Sequence, residues 1–550
     1  VDQAGNTQQG RRLNRRRFLG AAACAALGAV GAGAYELGTS RTVSATRPKS
    51  HYRAIVIGSG YGGGVTALRL GEAGINTLIL EKGRLWDAAD RDGKRFSRML
   101  PADNRAGWFT SVPPSLVPSF RGVSMEQVAR RAPSSQPVQA GICDKVQHGA
   151  HNVFRGVAVG GGSMINAAIA AIPTAAQIRA AFPDIDPNVF LGTYIERAKA
   201  MLRISYRDPN WFERTPYFQY ARVGRQYAAT AGYGVDYNGS AYSFDYMRKE
   251  EAGQVPRSAL DFEQQYGNNY GRFGSVDQTY IAAALRTGRV TLRPLTEVTS
   301  IRREPSGEYV VATREIDRFG KELHRDEIGC DELYLAGGVL GTTELLLRAR
   351  ETGSLPDLSD EIGRGYGNNG DIMVAHMLAP SDPAGTQQSL MGMINLDGRD
   401  DPDNPVYASM FSLPLPVETY ALGYYVMVRT GDRADIRFDR AADAIRIDWP
   451  QGHTEHLRER AKLVFDRITA ANGVDYRDDL FGGKVFKSNT VHPMGGVVRG
   501  RATDAFGRVN GYRKLYVNDA SLLPGYLGCN PFMTITALAE RNVEAILQGR

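Results

Sequence analysis

The segment Tyr52–Gly83, YRAIVIGSGYGGGVTALRLGEAGINTLILEKG, constrains the fold more than any other part of the chain. Ala54–Ile57 is a short, β-rich apolar run of the kind a buried parallel strand requires. The glycines Gly58, Gly60, Gly62 and Gly63 follow, Val65–Ala73 reads as a helix, and Thr77–Leu80 reads as a second strand ending in Glu81. Gly58 permits a tight turn, Gly60 lets backbone approach a pyrophosphate, and Gly63 lets helix and strand pack closely. Helix N-terminal N–H groups then face the phosphates. Glu81, 18 residues after Gly63, is placed to accept hydrogen bonds from a ribose diol. Strand, glycines, helix, strand and acid in this order predict a dinucleotide-binding βαβ unit.

That unit alone does not separate FAD from NAD, but three later segments favour FAD. Residues 154–170, FRGVAVGGGSMINAAIA, carry three glycines, then Ser163 and Asn166, suited to an isoalloxazine ring or pyrophosphate. Residues 332–349 repeat the strand, glycine turn and helix pattern. Residues 514–547 give a strand, a loop bearing Asp519 and Asn530, and a helix starting near Pro531–Thr534. A helix N-terminus there would stabilise negative charge on a reduced flavin. Segments distant in sequence thus converge on one long cofactor, and the expected class is α/β with a discontinuous Rossmann-like domain.

The net charge of +7 is misleading, because residues 1–50 hold six of those charges. The remainder is nearly neutral, which gives no support for nucleic-acid binding. Within the leader, Asn14-Arg15-Arg16-Arg17-Phe18-Leu19 precedes a weakly apolar Ala/Gly run closing on Ala32-Gly33-Ala34. That pattern predicts a twin-arginine signal and a secreted protein, loaded with cofactor before export. The run is short for a membrane span, and Cys24 lacks the context of a lipoprotein site. Past the leader, Cys143, Cys330 and Cys529 show no metal-ligand spacing, so no metal is expected and the thiols read as small buried hydrophobes.

His492 lies in NTVHPMGG, one of eight histidines in 550 residues. Alone it could be a turn residue. Flavin oxidation of an alcohol, however, needs a group that takes the hydroxyl proton near neutral pH, and histidine suits that task.

With these pieces in place, the chain from Tyr52 onward resembles the glucose-methanol-choline (GMC) oxidoreductase family. More narrowly, it resembles the secreted bacterial cholesterol oxidases that hold FAD non-covalently. The strings VIGSGYGGGVTALRLGEAG, VGGGSMINAAIA, YGNNYG, TYIAAAL, GTTELLLRAR, HPMGG, DASLLPG and CNPFMTITALAERN carry the resemblance. It implies an FAD-binding domain from residues 46–95, 150–185, 285–365 and 480–550, after a signal and linker at 1–45. Residues 96–149, 186–284 and 366–479 would form an α+β substrate domain whose mainly antiparallel sheet roofs a steroid cavity. By motif match, Tyr61, Gly62 and Glu81 would bind the ADP half, and Val298 would meet the adenine. Gly162 and Asn166 would lie along flavin and pyrophosphate, with Ala520, Asn530 and Phe532 near the isoalloxazine beside Asp519. His492 would be the proton acceptor and Asn530 its partner. The resemblance further implies a monomer that uses a sterol and O2 and touches membrane surfaces transiently to take up substrate.

Three positions depart from that pattern. Ser409 stands where a glutamate isomerises the Δ5 enone to Δ4, and serine cannot shuttle a carbon-derived proton as a carboxylate can. Glu418 is a weak substitute. Ile169 replaces a methionine lining the flavin, and Tyr407 replaces a phenylalanine gating an oxygen path. The expected activity is oxidation of a sterol 3-hydroxyl with weak or absent isomerisation. Oxidation or dehydrogenation of another bulky secondary alcohol is the alternative, and a non-enzymatic FAD or lipid binder is a third reading.

Overall fold

The computed structural model describes residues 50–90, 92–99, 101–115, 119–120, 123–124, 137–149, 151–387, 389, 392–412, 417–477 and 489–549. The stretch expected to be a twin-arginine leader, with Cys24, lies outside the described residues. Among those described, no helix is long and apolar enough to cross a membrane.

The predicted βαβ unit is present. Strand β1 (Ser50–Ile57), helix α1 (Tyr61–Glu72) and strand β2 (Thr77–Leu80) follow in order, and the two strands pair in parallel. The helix begins four residues before its expected start, because the glycines themselves form its first turn. Val290–Arg293 extends the parallel sheet beyond β2. On the other side β1 pairs in parallel with Glu322–Leu335, a 14-residue strand that serves two partners along its far edge. Its first part pairs antiparallel with Tyr309–Ile316, and its last three residues pair in parallel with Leu515–Val517. Thr296–Arg303 completes the seven-stranded sheet.

The second large sheet is antiparallel throughout, in the order 371–377, 421–428, 406–411, 395–398, 234–236. Its central strands are apolar on both faces, and the two-residue side-chain period divides them. Leu422, Tyr424, Val426 and Val428, with Ala408, Met410, Ile372 and Val374, enter a core shared with Leu457, Val464, Phe465 and Ile468 of helix His453–Asn472. Met373, Ser409, Phe411 and Tyr425, on the opposite face, line a cavity. The result is a mixed α/β architecture. The hairpin Cys143–His148/His151–Gly156 straddles the domain boundary drawn at residue 149, and Asn489–Thr490 pairs onto it. Cys143, Cys330 and Cys529 are free thiols and buried.

Two buried histidines tie stability to pH. Burial pushes His151 down to about 3 and His376 to about 4. His376 is stacked on Tyr227 and hydrogen-bonded to Tyr424. Both rings stay neutral when folded but take a proton near pH 6.5 when unfolded. Their contribution is therefore complete above pH 6.5 and lost as pH falls toward 3–4, by about 1.4 kcal/mol per pH unit for each ring. Melting temperatures between pH 7 and 4.5 should fall less steeply in His376→Phe than in the parent.

Candidate active site

A cavity of about 770 Å³ runs between the two sheets and collects residues from the βαβ unit, from 154–170, 332–349 and 514–547, and from the stretch around His492. That volume is in the range of small-molecule and cofactor sites. Its floor is the glycine turn after β1. Gly58 has φ +95°, and a Cβ there would lie 2.2 Å from the Ala336 carbonyl oxygen. Gly60 keeps an open face, its nearest neighbour being the Cα of Gly161 at 3.9 Å. The turns at Gly60 and Gly161 thus form a wall free of side chains on which a pyrophosphate can rest. The first turn of α1 holds no acidic residue to repel one. Gly162 also lines the cavity. Gly62 plays two parts: it borders the cavity, and it lets α1 touch the Asn518 carbonyl, which a Cβ would approach to 1.6 Å. Gly63 does not reach the cavity and serves the helix–strand contact, where a Cβ would meet the Gly58 oxygen at 2.0 Å.

Glu81, at the end of β2, is buried and already engaged. One carboxylate oxygen accepts from the Ser59 N–H at 2.9 Å and the Ser59 hydroxyl at 2.7 Å, and the other from the Gly83 N–H at 2.7 Å. It therefore shapes the glycine turn while retaining acceptor capacity toward the cavity. Burial holds its carboxyl above the usual range, against those hydrogen bonds. Thr296 donates its N–H to the Glu81 carbonyl, which brings Val298 to the same end of the cavity.

Asp519 is likewise an anchor. Its carboxylate accepts from the Gly338 N–H at 2.9 Å, the Thr342 hydroxyl at 2.6 Å, the Ser521 N–H at 2.9 Å and the Ser521 hydroxyl. It joins the start of helix Gly338–Glu351 to the loop that places Ala520 on the cavity wall.

Tyr61 and Phe532 stack at 5.1 Å between ring centroids, and both line the cavity with Ile169. The Tyr61 hydroxyl accepts from Asn166 Nδ2 at 2.7 Å. Asn166 is in turn held through its Oδ1 by Arg272 at 2.7 Å. The guanidinium of Arg272 is buried, and it also donates to Asn268 Oδ1, the Ser163 carbonyl and the Asn166 carbonyl. Burial lowers Arg272 to about 10. The sequence reading passed over Arg272, although it directly follows the YGNNYG string.

At the other end of the cavity stands His492, enclosed except for its cavity edge. Its Nδ1 lies 2.9 Å from Asp371 Oδ1, and its Nε2 lies 3.3 Å from Asn530 Nδ2. A proton on Nδ1 satisfies the carboxylate and leaves the Nε2 lone pair toward the Asn530 amide and the cavity. Asp371 is fully buried, and among the described residues its ion-pair partner is His492. Its second oxygen accepts from Thr490 Oγ1 at 2.6 Å and Tyr425 Oη at 2.8 Å, and more distantly from the N–H groups of Val491 and His492 at 3.3 Å. Sequence reasoning missed Asp371. The one available signal was an acid directly after Asn368-Asn369-Gly370, at the head of an otherwise apolar strand. Among the described residues, the Asn530 Oδ1 is buried without a hydrogen-bond partner.

Ser409 is 1% exposed, on the cavity-facing side of its strand. Glu418 is not its substitute. That carboxylate accepts from the backbone N–H groups of Ala384, Gly385 and Tyr420 and holds a loop, outside the cavity lining. Tyr407 is also off the cavity wall. Its hydroxyl donates to Asp236 at 2.8 Å, and Arg399 stacks over its ring at 4.5 Å.

Comparison with known proteins agrees with this geometry. Residues 369–482 match the family model described as GMC oxidoreductase, C-terminal. Cholesterol oxidase of Acinetobacter baumannii is 23% identical over 90% of this chain and 94% of its own length. Cholesterol oxidase of Mycobacterium tuberculosis is 24% identical over 90% of both chains. The crystal structure of pyridoxine 4-oxidase from Mesorbium loti shares the fold, with a TM-score of 0.61 and 16% identity over 90% of this chain and 99% of that one. The chain is thus similar to GMC oxidoreductases, through the family match at residues 369–482 and through distant relatives that span most of its length.

Proposed function

We propose that this chain oxidises the 3-hydroxyl of a sterol or related steroid to the ketone, with non-covalent FAD and O2 as final acceptor. The observation that carries the reading is His492, backed by buried Asp371 and set beside Asn530 in the cavity whose far end is the glycine wall. Gly58, Gly60, Gly161 and Gly162 would hold the pyrophosphate, Val298 and Glu81 the adenosine half, and Tyr61, Ile169, Ala520 and Phe532 the ring system. FAD, when bound there, supplies the hydride acceptor. The residues of the chain supply the proton chemistry. His492 Nε2 takes the proton of the substrate hydroxyl, and Asn530 Nδ2 orients the substrate oxygen. Asp371 holds the imidazole in the tautomer with Nε2 free and stabilises it once protonated. Met373, Phe411 and Val491 exclude water around that transfer.

Sterol as substrate is supported by the two cholesterol oxidases among the relatives. Ser409 supports oxidation without isomerisation, since no carboxylate stands at that point of the roof. Incubating the FAD-loaded protein with dehydroepiandrosterone should yield the Δ5-3-ketone, seen by chromatography without conjugated-enone absorbance. Rapid appearance of the Δ4-3-ketone would overturn the assignment of Ser409. The same observation at Ser409 favours the second reading, another bulky secondary alcohol. Recording hydrogen peroxide against dye reduction across an alcohol panel separates an oxidase from a dehydrogenase.

A further inference from the structure

We propose that Ser409 recognises a second oxygen of the substrate, on a carbon adjacent or next-adjacent to the carbinol, so that the favoured substrates are 1,2- or 1,3-oxygenated alcohols. The inference rests on the reading of the cavity as an alcohol-oxidising site and deepens it. The Ser409 hydroxyl is buried and has no hydrogen-bond partner among the described residues. Native proteins rarely leave such a group alone, because burial strips its water without replacing it. Its neighbours on the cavity wall cannot help. Met373 and Phe411 share its face of the sheet, and Ile169 closes the side through Gly392, where a Cβ would lie 2.1 Å from Ile169 Cδ1 and 3.6 Å from Ser409 Cβ.

Its position relative to the base follows from strand register. Ser409 is directly opposite Tyr425 on the neighbouring strand, and Tyr425 in turn is opposite Met373. Directly opposed side chains on one face of an antiparallel pair stand about 5 Å apart. The ring of Tyr425 meets His492 edge-on at 5.6 Å, and its hydroxyl donates to Asp371. Ser409 is therefore one strand removed from the residue that touches the proton acceptor. The wall thus offers two separate polar points. His492 and Asn530 serve the reacting hydroxyl, and Ser409 serves an oxygen a few atoms away. A monohydroxylated hydrocarbon frame answers only the first and leaves the serine buried and unpaired. A second hydroxyl or carbonyl close to the carbinol answers both.

The test uses the FAD-loaded protein, anaerobic, with two matched pairs. One is a 3-hydroxysteroid with and without a second hydroxyl on the adjacent ring carbon. The other is cyclohexanol and cyclohexane-1,2-diol. Rapid mixing reads flavin bleaching, and calorimetric titration of the same pairs reads binding, so a preference is measured even where turnover is slow. In the parent, the doubly oxygenated member should be favoured about 10-fold, as one neutral hydrogen bond provides. In Ser409→Ala the two members of each pair should behave alike. Equal treatment of both members by the parent, as expected were the hydroxyl met by water alone, overturns the proposal. So does a preference that survives in Ser409→Ala. Failure of every secondary alcohol to bleach the flavin overturns the alcohol-oxidising reading itself, and the titration still decides the role of Ser409.

Discussion

Replacing His492 with glutamine is expected to slow alcohol-dependent flavin reduction by about 10²–10⁴-fold, the usual loss when a positioned general base is removed. Glutamine keeps a polar side chain near Asn530 but has no group that can take the hydroxyl proton. The loss should fall on the reductive step, measured by anaerobic rapid mixing. The visible spectrum of bound flavin should persist, because no sequence or structural feature assigns His492 to holding the cofactor. Reduction within a factor of about 10 of the parent rate would place the base elsewhere. Beside the histidine, Asn530 has an Oδ1 that is buried and unpartnered among the described residues. An amide cannot act as a base near neutral pH, so the prediction turns on the histidine alone.

Asp371→Asn should give the second large effect, a fall in kcat of about 10²-fold or more with KM changed little. The carboxylate accepts from His492 Nδ1 at 2.9 Å, and that single contact selects which ring nitrogen is left free. Asparagine is nearly isosteric but carries an amide N–H₂ that can donate to Nδ1, which would move the ring proton to Nε2 and block its role as acceptor. It also removes the negative charge that stabilises the imidazolium formed during the reaction. A structural role alone would behave differently. Asp371 is bound by Thr490 and Tyr425 as well as by His492, so its loss could disturb the strand and loop. That would lower the melting temperature and raise KM together. Steady-state kinetics beside thermal unfolding separate the cases. Unchanged kcat with a large stability loss would remove Asp371 from the chemistry.

The two residues of this pair illustrate how differently the parts of the site were legible. His492 could be found because its context is local: a Pro-Met-Gly-Gly break and a family string contiguous in sequence. Asp371 lies 121 residues away and has no such context. Only the meeting of strand Asp371–Met377 with Asn489–Thr490 beside it makes the acid a partner of the histidine. Glu81 and Asp519 were legible as positions but not as chemistry. Sequence offered each as a ligand of a cofactor, and folding commits much of their acceptor capacity to Ser59, Gly83, Gly338, Thr342 and Ser521. The family resemblance set Glu418 and Tyr407 beside the cavity, whereas Glu418 is held in a loop and Tyr407, on the same strand face as Ser409, lies farther along and bonds to Asp236.

The sequence by itself determined the βαβ unit, since strand, glycine turn and helix are set by interactions between residues near one another in the chain. It also suggested which segments converge, whereas the place of Ser409 in the cavity roof came from the family resemblance and not from any local period. Only the tertiary structure decided what each polar group there meets. Partners of a buried side chain can come from segments more than 100 residues away, as those of Asp371 and Asp519 do, and no local period or spacing encodes them. Asp371 gained a histidine, Glu81 and Asp519 gained backbone donors, and Ser409 gained none among the described residues.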